Sequence, residues 1–240
     1  GLYIAAAASL RSVDLSRQVG AAIFSADGEI LSMGCNEVPK AFGGTYWSQD
    51  ERPMFRDFEM GSDANQLRKL QVLHDLVDRM SKAGFFCDEV KEKGDAVSQL
   101  RFLLENDLIK DSKVMDIIEY GRIIHAEMSA ITDAARTGRS IKNSILYCTT
   151  FPCHMCAKHI VASGVKQVVF LEPYPKSCAS DLHSDSITYD ANEAEKKVIF
   201  SPFLGISPRR YRDIFEKKGR KDSSGRKRDW YLGNPVPMIE

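Results

Sequence analysis

The chain carries no surplus charge of either sign: 33 Lys plus Arg stand against 33 Asp plus Glu in 240 residues. That balance excludes a generally basic polynucleotide binder, though not a local basic patch. No apolar run approaches the roughly 18 residues of a membrane span, and the stretch Leu2 to Leu10 is too short to serve as one. The start lacks the basic n-region and cleavage site of a secretory signal. Cysteine is sparse, with six residues, too few for a disulfide scaffold. These absences predict a cytoplasmic protein with no membrane segment. What is present, 43% hydrophobic and 28% charged residues, suits a folded chain long enough to bury roughly 70% of its unfolded surface. The first residue is Gly1 rather than Met, as expected of a processed product or a fragment.

Hydrophobic periodicity sets out the elements. Tyr3 to Leu15 reads as an Ala-rich helix. Val19 to Ser25 and Glu29 to Gly34 read as strands joined at Asp27-Gly28, a tight-hairpin signal. Lys40 to Pro53 reads as loop. Leu67, Leu70, Leu73, Val77 and Met80 recur at helical spacing, as do Val97, Leu100, Leu103, Leu104 and Leu108, and a shorter helix is expected over Val114 to Tyr120. Because both flanks carry α/β patterning, residues of about 42–120 are predicted to be a helical insertion. Beyond it, helices from His125 to Arg136 and from Cys153 to Ser163 each stop at a glycine, Gly138 and Gly164. Ser144 to Cys148, Val165 to Leu171 and Lys197 to Ser201 read as strands, and Pro208 to Lys218 as a closing helix. The expected fold is a three-layer α/β/α arrangement with a mixed sheet. One domain is expected over 1–218, followed by a basic, flexible tail over 219–240.

The chemistry concentrates at the starts of two consecutive helices, in His125-Ala126-Glu127 and Pro152-Cys153-His154-Met155-Cys156. Pro152 suits a first helical turn, where its missing N–H costs nothing. Cys153 and Cys156 then share one face of that turn. A helix N-terminus favours negative charge and helps hold sulfur as thiolate. Two thiolates and one imidazole make a three-ligand set, the pattern of a catalytic zinc with its fourth position open. Glu127 need not ligate; its expected role is proton shuttle. His-x-Glu with Pro-Cys-x-x-Cys is the general pattern of zinc nucleobase deaminases. A structural zinc site would want a second C-x-x-C, which the sequence lacks.

Together with Gly34-Cys35-Asn36-Glu37-Val38-Pro39 and Thr149-Thr150-Phe151-Pro152-Cys153-His154-Met155-Cys156-Ala157-Lys158, these residues resemble the deoxycytidylate deaminases. Within that family they look most like the deaminase domain of bacterial antiphage deoxycytidine nucleotide deaminases, a likeness shared by Ser201 to Ile206 and Pro208 to Tyr211. The resemblance covers about 2–41 and 121–216. It implies a cytidine deaminase-like fold with five strands, one catalytic Zn²⁺ held by His125, Cys153 and Cys156, and free dCMP or dCTP as substrate. In the implied hydrolysis Glu127 passes a proton to N3 and then to the leaving amine. The resemblance also implies that Asn36 contacts the sugar; an Asx turn residue is the alternative reading of that asparagine. The backbones of Ala126, Thr149, Thr150 and Phe151 would read the base edge, and Tyr174 would stack on the base or cover the pocket.

Relatives suggest a homo-oligomer, hexamers being common, an upstream P-loop kinase-like domain, and a second structural zinc for which Cys35, His74 and Cys87 are candidates. His154 should point away from the metal, and Cys148 and Cys178 are expected to be packing thiols. Cys35-Asn36-Glu37 departs from the family's usual Tyr-Asn-Gly, which leaves any nucleotide-regulated site there without its motif. Two other classes compete with the nucleotide deaminase: a polynucleotide-editing deaminase, which would want a basic and aromatic groove, and a zinc-stabilised binding module, which would have no use for Glu127.

Overall fold

The computed structural model describes residues 1–47, 49–50, 55–216 and 221–227. In chain order the elements are α1 (Leu2–Ser9), β1 (Gly20–Phe24), β2 (Ile30–Cys35), α2 (Asp57–Met60), α3 (Ala64–Lys82), α4 (Asp88–Lys91), α5 (Ala96–Glu105), α6 (Ala126–Arg136), β3 (Ile145–Thr150), α7 (His154–Ala162), β4 (Gln167–Glu172), α8 (Ala179–Leu182), β5 (Ile187–Thr188), β6 (Val198–Pro202) and α9 (Pro208–Phe215). The sheet runs β2-β1-β3-β4-β6-β5. β1 is antiparallel to both β2 and β3, whereas β3, β4, β6 and β5 are parallel. This is the mixed three-layer α/β/α sheet expected of a cytidine deaminase-like fold, with one strand more than expected. The addition, β5, has two residues in a polar stretch without strand periodicity, and only its pairing with β6 makes it a strand.

Alternation along the strands sorts side chains between two layers. Ala21, Ile23, Leu146, Cys148, Val168, Phe170 and Phe200 face α6 and α7 in the main core. Ala22, Phe24, Tyr147 and Val169 face the other way, onto Leu2 and Ala5 of α1. Gly34 permits a close helix-to-sheet approach, because a Cβ there would strike the Ala126 carbonyl and come within 2.5 Å of the Ala130 nitrogen. A side chain at that position would push the α6 N-terminus off β2.

The other departures are local. α1 stops at Ser9, and the hairpin after β1 carries a register irregularity between Ile23 and Phe24. The helix expected over Val114 to Tyr120 is a single 3₁₀ turn, Lys113–Asp116. Pro152 precedes Cys153, the N-cap of α7, and so lies just outside the helix. α9 ends at Phe215 with Pro208 in its first turn. Gly138 and Gly164 take left-handed φ of 70° and 79° after α6 and α7. After α6 the Gly138 and Arg139 N–H groups return to the Ala135 and Ala134 carbonyls, a Schellman ending.

Between β2 and α6 the chain makes a long excursion with its own small core of Leu73, Val77, Val90, Leu100 and Leu103. Its two ends are joined by an antiparallel bridge, the Glu37 and Ile124 amides exchanging hydrogen bonds of 3.2 and 2.9 Å. Among the described residues, no helix is long and apolar enough to cross a membrane. Most of the expected basic tail lies outside the described residues; within it, Lys221 and Lys227 pair across a turn.

Candidate metal centre and its cleft

His125 and Cys153 are the N-cap residues of α6 and α7. A helix start leaves backbone N–H groups unsatisfied and partly positive, and both ends point at one spot. The imidazole makes no capping bond and turns its Nδ1 to the sulfurs, 3.2 Å from Cys153 and 3.5 Å from Cys156. The Cys153 sulfur accepts the Cys156 N–H at 3.5 Å. The three ligand atoms lie within 4.8 Å of one another, and no other group of three His, Cys, Asp or Glu side chains among the described residues converges this way. One imidazole and two sulfurs on one point suit Zn²⁺ with an open position, so the residues fit the ion.

Electrostatics split the protons unevenly among these groups. The Cys156 thiol hydrogen-bonds the Cys153 sulfur, and with the imidazole alongside it brings Cys153 down to about 4. Cys156 itself is pushed well above the usual thiol range by that hydrogen bond, by burial and by Glu127. Burial opposes charge on His125, yet the Cys153 sulfur, with Glu127 and Asp14, carries the imidazole up to about 9. Glu127, in the first turn of α6 and 3% exposed, is raised by burial and by the Cys153 sulfur, and it hydrogen-bonds Cys156.

The centre lies in a cleft of about 440 Å³. Of the residues expected in the site, His125, Glu127, Cys153, Asn36, Thr150, Phe151 and Tyr174 line this cleft. Cys156, 1% exposed, lies behind it. Ala126 is buried with its N–H donated to Asn36 Oδ1, and the Thr149 hydroxyl accepts the Gly20 N–H. The Asn36 amide is fully engaged as donor, to Asp14 at 2.9 Å and the Arg17 carbonyl at 3.2 Å. The Phe151 ring packs edge-on against Phe170. Tyr174 lies under the Arg17 guanidinium at 5.3 Å, and burial raises its phenol.

Several wall residues escaped the sequence reading: Asp14, Arg17, Lys176 and, from the insertion, Asp57, Asn65 and Lys69. The available signal was Lys69, which shares the i, i+4 row of Leu73 and Val77 where an apolar residue is expected. His154 turns outward to Glu119, 3.0 Å away. Cys148 is buried as expected, whereas Cys178 is exposed, since it caps the short helix α8 at the surface. Cys35, His74 and Cys87 are not brought together: Cys35 is buried at the end of β2, His74 acts on Asp95, and Cys87 is exposed at the start of α4.

The sequence model of the cytidine and deoxycytidylate deaminase zinc-binding region matches residues 2–172. Deoxycytidylate deaminase of Enterobacteria phage T2 is 50% identical over 54 residues, 22% of this chain and 29% of the relative. The human deoxycytidylate deaminase is 30% identical over 93 residues, 39% of this chain and 44% of the relative. The chain thus spans less than half the length of either. The crystal structure of dCMP deaminase from cyanophage S-TIM5 with dCMP and dUMP is 18% identical, covering 84% of this chain and 93% of that one, with a TM-score of 0.44. With its family model matched over most of its length, the chain belongs to the cytidine and deoxycytidylate deaminase family by its zinc-binding region.

Proposed function

We propose that the chain hydrolyses the 4-amino group of free deoxycytidine nucleotides, dCMP or dCTP, giving the deoxyuridine nucleotide and ammonia. The observation that carries this reading is the buried Glu127 carboxyl beside the convergent His125, Cys153 and Cys156 side chains, at the floor of an open cleft. Held by those three ligands, zinc supplies Lewis acidity toward water. The chain's own residues do the rest. Glu127, whose buried carboxyl holds a proton more readily than a solvated one, takes a proton from the attacking water and passes it to N3, then relays the water's second proton to the departing amine. Asn36 anchors the N-terminus of α6 and keeps a lone pair on Oδ1 for a sugar hydroxyl. Tyr174 covers the base, and Thr150 and Phe151 at the end of β3 line the cleft beside its edge.

The wider reading follows from the antiphage resemblance: a domain over 1–218 with a basic tail, acting in the cytoplasm as a homo-oligomer, behind a kinase-like domain, to deplete DNA precursors. Ammonia release from dCTP, dCMP, deoxycytidine and a single-stranded oligonucleotide tests the core of it. Turnover of the free nucleotides is expected; turnover of the oligonucleotide alone would assign the chain to polynucleotide editing instead.

A further inference from the structure

The insertion presents two polar side chains to the cleft from one row of α3. Asn65 and Lys69 stand four residues apart, on the same helical face, and both line the cavity that holds His125 and Glu127. The same row continues into the insertion's core as Leu73 and Val77. Lys69 is 9% exposed, an uncommon place for an ammonium group. Its Nζ donates to the Met115 carbonyl at 2.9 Å, and no carboxylate lies within ion-pair distance of it among the described residues. Asn65 donates to the Ile117 carbonyl, while its buried Oδ1 has no partner.

The acids nearby are already engaged. Asp57 pairs with Arg122, Asp63 caps α3, and Asp116 holds Lys176. Across the cleft Arg17, also without a carboxylate among the described residues, lies over the Tyr174 ring. Two cations without counter-ions thus face one cavity.

We propose that Lys69 and Arg17 bind the phosphate next to the sugar of the substrate nucleotide. The assignment rests on the deaminase reading of the cleft and gives the helical insertion its role, which is to select nucleotides over nucleosides. A phosphate group brings about −1.5 to −2 charge, matched by the two side chains. It also supplies the acceptors that a buried ammonium lacks.

The test is calorimetric binding of dUMP, dUTP and deoxyuridine to the zinc-loaded chain and to Lys69→Met, Lys69→Arg and Arg17→Met. Loss of one charge-assisted hydrogen bond should weaken dUMP about ten- to a hundredfold. Deoxyuridine affinity should stay level, and Lys69→Arg should recover most of the loss. dUTP should respond like dUMP, since the contacted phosphate is common to both. The assignment is overturned by equal wild-type affinity for dUMP and deoxyuridine, by parallel loss of both ligands in the variants, or by a response confined to dUTP. If Lys69→Met does not fold, Arg17→Met carries the same test. Failure of the wild-type chain to release ammonia from any cytosine compound would sink the deaminase reading, leaving the dUMP-to-deoxyuridine ratio to judge the phosphate site.

Discussion

Asn36 Oδ1 accepts the backbone N–H of Ala126 at 2.9 Å, tying the turn after β2 to the first turn of the helix that carries His125 and Glu127. Both groups are buried. Removing the acceptor leaves a buried N–H unsatisfied, at a cost of about 1–3 kcal/mol. Asn36→Ala should therefore lower the unfolding midpoint and weaken zinc retention together. Asn36→Asp keeps the acceptor but sets a carboxylate against Asp14, and should also destabilise. Thermal unfolding with metal analysis checks both variants, and unchanged stability in Asn36→Ala would refute the anchoring role.

Glu127→Gln preserves shape but cannot carry the proton. A general acid/base contributes about 10²–10⁴-fold, so turnover should fall by that order while one zinc per chain is retained. His125→Ala and Cys153→Ala should lose the metal as well. Ammonia release alongside metal content separates the two classes; near-normal turnover in Glu127→Gln would remove this residue from the mechanism.

Zinc uptake should release protons. In the metal-free site His125 is raised to about 9 and Cys156 well above its usual value, so both hold protons at neutrality, whereas Cys153, at about 4, does not. Both bound protons must leave when the ion enters, so affinity rises with pH. Two protons correspond to roughly a hundredfold per pH unit between about pH 5 and pH 8. Titration calorimetry in buffers of different ionisation enthalpy reads the proton count directly, and a count near zero contradicts this charge distribution.

Thiol reactivity should follow exposure. Cys87 and Cys178 are exposed, while Cys35 and Cys148 are buried, and burial raises the latter two. Iodoacetamide should therefore label Cys87 and Cys178 in the zinc-loaded chain. After chelation Cys153, buried but on the wall of the open cleft, should join them even at about pH 6, since a group titrating at about 4 is already thiolate there. Peptide mapping before and after chelation reports the order. Early labelling of Cys148 would show that the sheet core opens.

Gly34→Ala sets a methyl group against the Ala126 carbonyl and the Ala130 nitrogen. Overpacking of this kind costs about 1–3 kcal/mol, and here the strain falls on the helix that bears the metal ligand. Reduced zinc affinity alongside a lowered unfolding midpoint is expected. A loss of stability with metal affinity intact would mean that α6 tilts without moving His125.

The metal centre was legible because its chemistry is local in sequence. His125-x-Glu127 and Cys153-x-x-Cys156 each sit at a helix start, and helix starts are written in caps and periodicity. The alternating strands and the glycine stops at Gly138 and Gly164 were legible for the same reason. β5 was not, since two residues carry no period and the strand exists only through β6. The cleft walls were hidden for a related reason. Lys69 and Arg17 reach the cavity through tertiary packing, and a lysine in an amphipathic helix reads as a solvated charge until the helix is docked. Leu67, counted into the apolar stripe, is 50% exposed, because the buried row of α3 runs through Lys69, Leu73 and Val77 instead. Asn36 was noticed for its turn, but its bond to a backbone 90 positions away has no local signature.

The paired amides of Glu37 and Ile124 work as a clasp at the neck of the insertion. Everything between them departs from and returns to one point, so closing that loop costs an entropy that grows only slowly with its length. Residues can be added or exchanged beyond the clasp without moving the helix starts beneath it. Ligand preference can thus be retailored in the outer segment while the reactive floor stays as it is.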